Sequence, residues 1–333
     1  MSKVAIGDLA QSMILRRHSA ELKGNLQRLS TESVTGLIDD KTAHVSGDYG
    51  PMAGIESTLS QLSGYRSVNA ETGIIAGIMQ TTLGGIDTAA STLGASIMGS
   101  VSGRTPTQIN AIGFDAAQKL TSAMAQLNGR VGERSLFAGV ATNSAAVVPA
   151  ETMMTALDGV IAGALSADDI ETAVSAWFDD PLGYEATVYQ GGADLPSVPI
   201  GPDETAQLDI TARDPALRDT IKGLAMAALL DRGALSGNAL GRADLAKRAG
   251  ESLLSSQTAR SQLAARLGAT EANIATASVR NDTEKTALEL ARLNLISVDP
   301  YETASKLQAT QSQLETLYAI TARMSRLSLV NFL

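Results

Sequence analysis

The most informative absence in this 333-residue sequence is cysteine, of which there is none, and histidine is limited to His18 and His44. Without thiols the chain can form neither a disulfide nor a thiolate metal site. No histidine has a second histidine or a glutamate at the spacing of a helical metal motif. His18 directly follows Arg16 and Arg17 in a helical pattern, so we expect it to be a solvated side chain.

Aromatic residues are also scarce, at 3% of a chain that is 44% hydrophobic. Ala, Leu, Ser, Thr and Gln fill the positions that rings would otherwise take. This composition is typical of long helices packed through small and aliphatic side chains. It is not the composition of an enzyme built round a pocket.

Basic clusters and long apolar runs are missing too. The net charge is −9 and the isoelectric point is near 4.8, so nucleic acid is not an expected partner. No apolar run reaches the length of a membrane span, and the N-terminus lacks the charged-then-apolar pattern of a signal peptide. We therefore expect no membrane insertion and, by ordinary routes, a cytosolic protein. The Asn281-Asp282-Thr283 sequon carries very little weight in such a chain.

Catalytic motifs are absent as well. There is no phosphate-binding glycine loop and no dinucleotide fingerprint between a strand and a helix. Gly99 and Gly103 have the outer spacing of a nucleophile elbow, but Val101 stands at its centre. The acidic residues around His44 fit no EF-hand and predict an acidic surface loop; they are Asp39, Asp40 and Asp48. We expect no catalytic residue, no cofactor and no metal, and therefore no enzyme.

The chain does contain a long amphipathic pattern at its C-terminal end. Asp299 is a good N-cap, Pro300 suits the first helical position, and Glu302 stands where a capping box places its carboxylate. These signals predict a helix over 300–328. Its apolar residues recur at spacings of three, four and seven and form one narrow stripe; they are Tyr301, Ala304, Leu307, Leu314, Leu317, Thr321, Met324 and Leu327.

The N-terminal end carries a second seam of the same kind, in a helix predicted over 7–35. Its apolar residues are Leu15, Leu22, Leu26 and Leu29, with Leu9 and Met13 extending the stripe. A narrow seam needs a partner helix. Two alternatives are open: the seams form an intramolecular core, or they meet the matching helices of neighbouring copies. Isolated helices with such seams are marginal, so we expect both ends to be disordered in the monomer.

Between the ends, the patterns predict a helical body with an insertion. Glycines and acidic residues mark a loop at 36–54, and a capping box, Thr105-Pro106-Thr107-Gln108, opens one of the helices. The predicted helices cover 55–98, 106–129, 150–165, 168–178, 215–232 and 241–297, with Asp168 and Asp169 at the start of the fourth. The predicted strands cover 135–140, 184–189 and 207–212.

These elements predict a mainly α fold, an elongated bundle of long helices formed by both chain ends with a small mixed α/β insertion. The terminal coiled-coil core would comprise 1–35 and 295–333, and the helical body 36–140 and 206–294. The inserted outer domain would be 141–205.

Both ends resemble the flagellin family of bacterial flagellar axial proteins. Residues 26–31, Leu-Gln-Arg-Leu-Ser-Thr, are similar to the family's Leu-x-x-Leu-Ser-[Ser/Thr]-Gly signature, although Glu32 stands where glycine is usual. Residues 267–269, Leu-Gly-Ala, resemble the start of the family's last long helix. Residues 297–299 with Glu302 resemble its helix break, and residues 327–330 its leucine-rich end.

One branch of the family, whose members join hook to filament, fits best. Residues 134–139, Arg-Ser-Leu-Phe-Ala-Gly, are similar to that branch's entry into its variable domain. Residues 189–192, Tyr-Gln-Gly-Gly, resemble a second element of the same branch.

The resemblance implies a structural subunit that is exported unfolded through the flagellar channel without a cleavable signal peptide and assembles outside the cell. Its implied partners are copies of itself in a ring-like layer, a hook-side adaptor protein, flagellin, and an export chaperone on the C-terminal segment. A filament flagellin, or a coiled-coil scaffold unrelated to flagella, is the alternative. The residues expected at the assembly interface are Leu15, Leu22, Leu26, Leu29, Leu307, Leu314, Leu317, Met324 and Leu327.

Overall fold

The computed structural model describes residues 3–40, 49–99 and 105–330, with side chains from 10 to 324 within these ranges. The chain forms two compact units. The terminal unit comprises Met1–Leu62 and Asp282–Leu333, and the central unit is Ser63–Asn281. The predicted mainly α fold, with long helices from both chain ends, is confirmed.

Long helices dominate the terminal unit. Helix α1 is Lys3–Thr35 and helix α9 is Pro300–Val330. The unit also takes in the first part of α2, Gly50–Gly99, and the last part of α8, Gln257–Ile296. The break predicted at 297–299 is present because Asp299 caps α9: its carboxylate accepts the backbone N–H groups of Tyr301 and Glu302 at 2.8 and 3.0 Å.

The central unit adds shorter helices whose starts follow capping chemistry. They are α3 Pro106–Leu127, α4 Ala150–Val160, α5 Ala167–Asp179, α6 Pro215–Ala228 and α7 Ala239–Ser255. Thr105 and Gln108 form the predicted capping box of α3, and Ser166 and Asp169 form one at the start of α5. The Ser166 hydroxyl, followed by the backbone N–H of Leu165, lowers the pKa of Asp169.

The three predicted strands are mostly wrong. The structure has two antiparallel hairpins instead: β1 Arg130–Val131 with β2 Arg134–Ser135, and β3 Val198–Gly201 with β4 Glu204–Ala206. Of all the residues in the predicted strands, only residue 135 lies in either hairpin. Over 184–189 the chain instead continues from a π-helical turn, Pro181–Glu185. Tyr184 and Val188, four residues apart, are both fully buried, so the apparent alternation reflected a helical face.

The larger of two hydrophobic clusters in the central unit includes residues from 141–205. Phe137, Phe178 and Tyr184 are among its largest fully buried side chains. Phe178 and Tyr184 stack with ring centroids 5.1 Å apart, and the Tyr184 hydroxyl donates to the Ala212 carbonyl at 3.1 Å. Burial raises the pKa of that phenol. Residues 141–205 therefore share a core with the helices and are not separated as a unit of their own.

The helix predicted over 241–297 is interrupted at Ser256, between α7 and α8. Arg260, only 4% exposed, fills the break. Its guanidinium donates to the Leu253 carbonyl at 3.0 Å and to the Ser256 hydroxyl at 2.7 Å. On its other side it pairs with Asp87 of α2 at 2.7 Å. The buried Arg260 guanidinium therefore links α2, α7 and α8, and its several partners satisfy its charge.

The β3–β4 hairpin is held between α2 and α8. The Ile200 carbonyl accepts the side-chain amides of Asn69 at 3.0 Å and Asn281 at 2.8 Å. Arg280 forms a two-point pair with Glu204, and this hydrogen bonding lowers the pKa of the Glu204 carboxyl. Asn281 is 1% exposed, so the amide of the sequon is buried and already bonded.

Candidate assembly interface

The two apolar seams meet inside one chain. Helices α1 and α9 pack side by side and run antiparallel. Gln11 Nε2 lies 3.9 Å from Met324 Sδ, and Lys23 Nζ lies 5.7 Å from the centre of the Tyr318 ring. At the other end, Leu37 and Ser297 form an antiparallel bridge. Of the two sequence alternatives, the structure therefore contains the intramolecular pairing; contact between copies stays a prediction.

Most of the predicted seam residues are less exposed than their neighbours along α1 and α9. Leu29 is buried at 5% exposure, and the other seam residues with described side chains are partly exposed; these are Leu15, Leu22, Leu26, Leu307, Leu314, Leu317 and Met324. Leu327 lies in α9, but its side chain is outside the described ones. The heptad spacing in each helix places these residues on one side.

The first turn of the α9 stripe differs from the prediction. Tyr301 is 84% exposed and Ala304 is exposed as well. Thr303 is buried at 5%, and Thr310 is partly buried. The less exposed positions of α9 are 303, 307, 310, 314, 317 and 324. The predicted stripe therefore wrongly included Thr321, which is exposed, and missed Thr303 and Thr310, because the polarity of a threonine does not show which side of the helix it is on.

Several apolar side chains of the terminal unit remain exposed. Met13, which was predicted to extend the α1 seam, is 67% exposed, and Ile14 beside it is 58% exposed. Tyr318 and Ile320 on α9 are 47% and 45% exposed and lie at the edge of the seam, beside Lys23 and Leu22. A seam between two helices covers only one side of each. These exposed apolar residues leave surface available to further helices.

Backbone hydrogen bonds join the residues that follow α1 to the break between α8 and α9. Ile38 N–H donates to the Ile296 carbonyl at 2.8 Å, and Val298 N–H donates to the Gly36 carbonyl at 3.0 Å. Gly36, with φ of +70°, ends α1 in the left-handed conformation that favours glycine. This junction fixes the register in which the two seams meet.

Glu32, which departs from the family signature, has a local role at this junction. Its side chain is buried, with the residue at 5% exposure. Glu32 Oε1 accepts the backbone N–H of Asp39 at 3.2 Å and lies 3.6 Å from Arg28 Nη1. A glycine here could not make these contacts.

The structure also brings together the two short motifs that suggested the junction branch. Gly192 N–H donates to the Ala138 carbonyl, and the Tyr189 hydroxyl donates to the Gly192 carbonyl at 2.8 Å. Gly139 has φ of +58°, and a Cβ there would lie 2.1 Å from the Ala193 carbonyl oxygen. Glycine is required at this position because φ is positive and because a Cβ would collide with the Ala193 carbonyl oxygen. The motifs are therefore two halves of one structural element.

Sequence reasoning missed an acidic segment held by arginines. Residues 135–212 contain twelve Asp and Glu and no Lys, Arg or His. Arginines that follow the segment pair with its carboxylates. Arg232 contacts Glu151 and Asp158, both at 2.8 Å, and Arg248 contacts Asp168 at 3.0 Å. Charge counted over the whole chain concealed this asymmetry; a count in windows would have found it.

Arg213 and Arg218 make the same kind of contact, with Asp194 at 2.8 Å and Asp179 at 3.2 Å. Such partly exposed pairs contribute little stability individually. All four of these arginines lie outside the segment, which has no positive side chain of its own.

No geometry for catalysis or metal binding accompanies these surfaces in the parts of the chain that the structure describes. Across residues 3–40, 49–99 and 105–330, His, Asp and Glu do not gather in threes that could hold a metal ion. None of the described helices combines the length and hydropathy that crossing a membrane requires. A shallow groove of about 310 Å³ does lie along the seam, lined by residues such as His18, Leu22 and Leu317.

Comparison with known proteins finds similarity to flagellar proteins. Residues 254–333 match the family model of the bacterial flagellin C-terminal helical region. A protein of Vibrio parahaemolyticus assigned to the flagellar hook-associated proteins has a similar structure, with TM-score 0.53 at 13% identity, covering 77% of this chain and 98% of its own. FlgL of Bacillus cereus superposes with TM-score 0.50 at 14% identity, covering 73% of this chain and 99% of its own. No curated protein is similar enough in sequence to count as a match.

Proposed function

Because this chain is flagellin-like, with the C-terminal helical region of that family and the fold of flagellar hook-associated proteins, we propose that it is a structural subunit joining hook to filament in the bacterial flagellum. The observation that carries the proposal is the pairing of seams from opposite chain ends, of which the C-terminal seam lies in the region 254–333 that matches the flagellin model. The subunit acts by packing and not by chemistry.

In this proposal the terminal unit provides the assembly contacts. The seam residues Leu15, Leu22, Leu26 and Leu29, with Leu307, Leu314, Leu317, Met324 and Leu327, bring α1 and α9 together. The exposed apolar residues of the terminal unit then meet neighbouring copies, a hook-side adaptor and flagellin. Contacts of one surface with a different surface on the next copy close into a ring-like layer.

Delivery through the flagellar channel accounts for the composition. A chain without cysteine and with 3% aromatic residues forms no disulfide and carries few bulky rings while unfolded. The apolar C-terminal segment is the stretch we propose for an export chaperone. The subunit's location is then the extracellular flagellum.

The acidic segment supports an outward position for 141–205. Identical copies repel where like charges face one another. The arginines paired with this stretch are fewer than its twelve carboxylates, so it keeps an excess of negative charge and is unsuited to contact with the same stretch on a neighbour. We propose that it faces solvent in the assembly.

The test is complementation in a flagellated strain that lacks its own copy of this gene. Leu314→Asp places a charge in the seam, and Gln311→Asp makes the same change at an exposed position of α9. We expect wild type and Gln311→Asp to restore attached filaments and motility, and Leu314→Asp to release filament protein into the medium. Both variants should retain the folded central unit by circular dichroism. Full motility with Leu314→Asp would reject the seam as an assembly element.

Antibody labelling separates the proposal from its alternative, a filament flagellin. A junction subunit is labelled at one narrow band beside the hook. Labelling along the entire filament would favour the flagellin alternative, and absence from the flagellum would favour a scaffold unrelated to it.

A further inference from the structure

The sequence contains one Asn-Gly pair, Asn128-Gly129, at the point where helix α3 ends. This pair is chemically labile in an unfolded chain, because glycine carries no side chain to hinder attack by its backbone nitrogen on the preceding side-chain amide. The structure nevertheless requires both residues, each for its own reason.

The Asn128 side chain binds the backbone of Val147 at two points. Its Nδ2 donates to the Val147 carbonyl and its Oδ1 accepts the Val147 N–H, both at 2.9 Å. We call these two contacts the Asn128–Val147 bonds. Because Val147 is only 1% exposed, water cannot replace either of them. Among side chains of this length, asparagine alone supplies a donor and an acceptor side by side at neutral pH.

Gly129 is required because the chain passes close to itself. A Cβ at this position would lie 2.9 Å from the Gln126 carbonyl oxygen. The Gly129 N–H donates to the same oxygen at 2.9 Å, and the Gly129 carbonyl accepts the Leu136 N–H at 3.1 Å. These bonds lead the chain from α3 into the β1–β2 hairpin. A side chain at 129 would displace them, so the labile glycine cannot be replaced without cost.

The same contacts hold the pair away from its reaction geometry. Ring closure requires the Gly129 nitrogen to eclipse the Asn128 Cβ about the Cα–C bond. The ψ angle of Asn128 is 10°, which keeps these two atoms far from eclipsed. The Asn128 amide is also anchored on Val147, and the Gly129 N–H is engaged by Gln126. Reaction in the folded protein therefore needs local opening of this turn.

We propose that Asn128 is a deamidation site that is reactive in the unfolded chain and closed by folding, and that its product weakens the central unit. The Gly129 backbone nitrogen attacks the Asn128 side-chain carbonyl carbon, and ammonia leaves with the proton of that nitrogen. Water then opens the cyclic imide to aspartate or isoaspartate. No partner copy is needed, so the inference is independent of the proposed function.

The product cannot rebuild the Asn128–Val147 bonds. A carboxylate at 128 has no N–H for the Val147 carbonyl and turns an oxygen towards it instead, which leaves a buried acceptor unpaired. Isoaspartate in addition lengthens the main chain just before Gly129, where the turn is tight. A chain that stays unfolded long enough to react therefore folds to a less stable central unit.

The first test compares the wild-type chain folded and unfolded. The full-length protein is incubated at mildly alkaline pH in buffer and in guanidinium chloride, and mass spectrometry of its peptides follows conversion of Asn128. Asn143-Ser144, an exposed pair, is the internal reference. We expect Asn128 to convert faster than Asn143 when unfolded, and at least about a hundredfold more slowly when folded than when unfolded. Equal rates in the two solutions, or no conversion of the unfolded chain, would overturn the proposal.

The second test measures the effect of the product. Asn128→Asp introduces the product side chain, and Asn110→Asp is the matched control, since Asn110 Oδ1 accepts a hydrogen bond from Arg242 at 2.9 Å that a carboxylate can also accept. We expect Asn128→Asp to lower the thermal midpoint of the central unit by about 5 °C, and Asn110→Asp by less than about 1 °C. Equal midpoints would overturn the second part of the proposal. If Asn128→Asp alone does not fold, the loss is larger than expected, and the wild-type test still decides whether Asn128 reacts.

Discussion

The two units of this protein bury their helices to very different degrees. Helix α6 of the central unit buries ten of its 14 residues. Helix α9 of the terminal unit fully buries only Thr303 among its described side chains. A helix packed on several sides derives stability from many neighbours, whereas a helix with one seam depends on a single partner. The central unit is therefore built to be stable alone, and the terminal unit to gain from further contacts.

The largest expected effect comes from opening the central core. Phe137→Ala removes a fully buried ring, which costs about 3–5 kcal/mol in the free energy of unfolding. Phe114→Ala is the matched control, since that ring is 58% exposed and its loss should cost less than about 0.5 kcal/mol in the monomer. Urea unfolding of the central helices measures both. Similar costs for the two variants would remove the distinction between the buried core and the exposed surface of the central unit.

A smaller effect is expected in the terminal seam. Leu22→Ala truncates a partly exposed side chain, so we expect a loss of about 1–2 kcal/mol confined to the terminal unit. Amide hydrogen exchange on the purified monomer measures it by residue. Wild-type α1 and α9 should exchange faster than α6 and α7, with Leu22→Ala widening the gap. Uniform protection over both units would contradict the proposed difference in stability between them. It would also contradict the expectation that the chain ends become ordered on assembly.

The smallest effect is a pH dependence at the β3–β4 hairpin. The pKa of Glu204 is lowered by Arg280, so the folded state binds its proton more weakly than the unfolded chain does. Its contribution is present above the ordinary carboxyl pKa of about 4.5 and is lost as the pH falls through the lower, folded value. Hydrogen exchange near the hairpin should increase slightly below that pH, and Glu204→Gln should abolish the dependence. An unchanged pH response in Glu204→Gln would assign the effect to other carboxylates.

Prediction from sequence succeeded where structure is set by neighbours along the chain. The capping box at Thr105, the cap at Asp299 and the heptad leucines of α1 depend on residues within a few positions, so their helices could be located closely. The flagellin resemblance rests on the same local signatures. The strand predictions failed because alternation over six residues cannot be distinguished from a short helical segment without knowing which side chains are buried.

The sequence by itself determined the long helices, their narrow seams and the lack of cysteine, because composition and periodicity are properties of the chain alone. Only the tertiary structure decided that the seams pair within one molecule, that Arg260 closes a helix break from inside, and that arginines beyond residue 212 hold the acidic segment. These depend on residues far apart in sequence, whose meeting is fixed by how the helices pack and by the need to pair every buried charge.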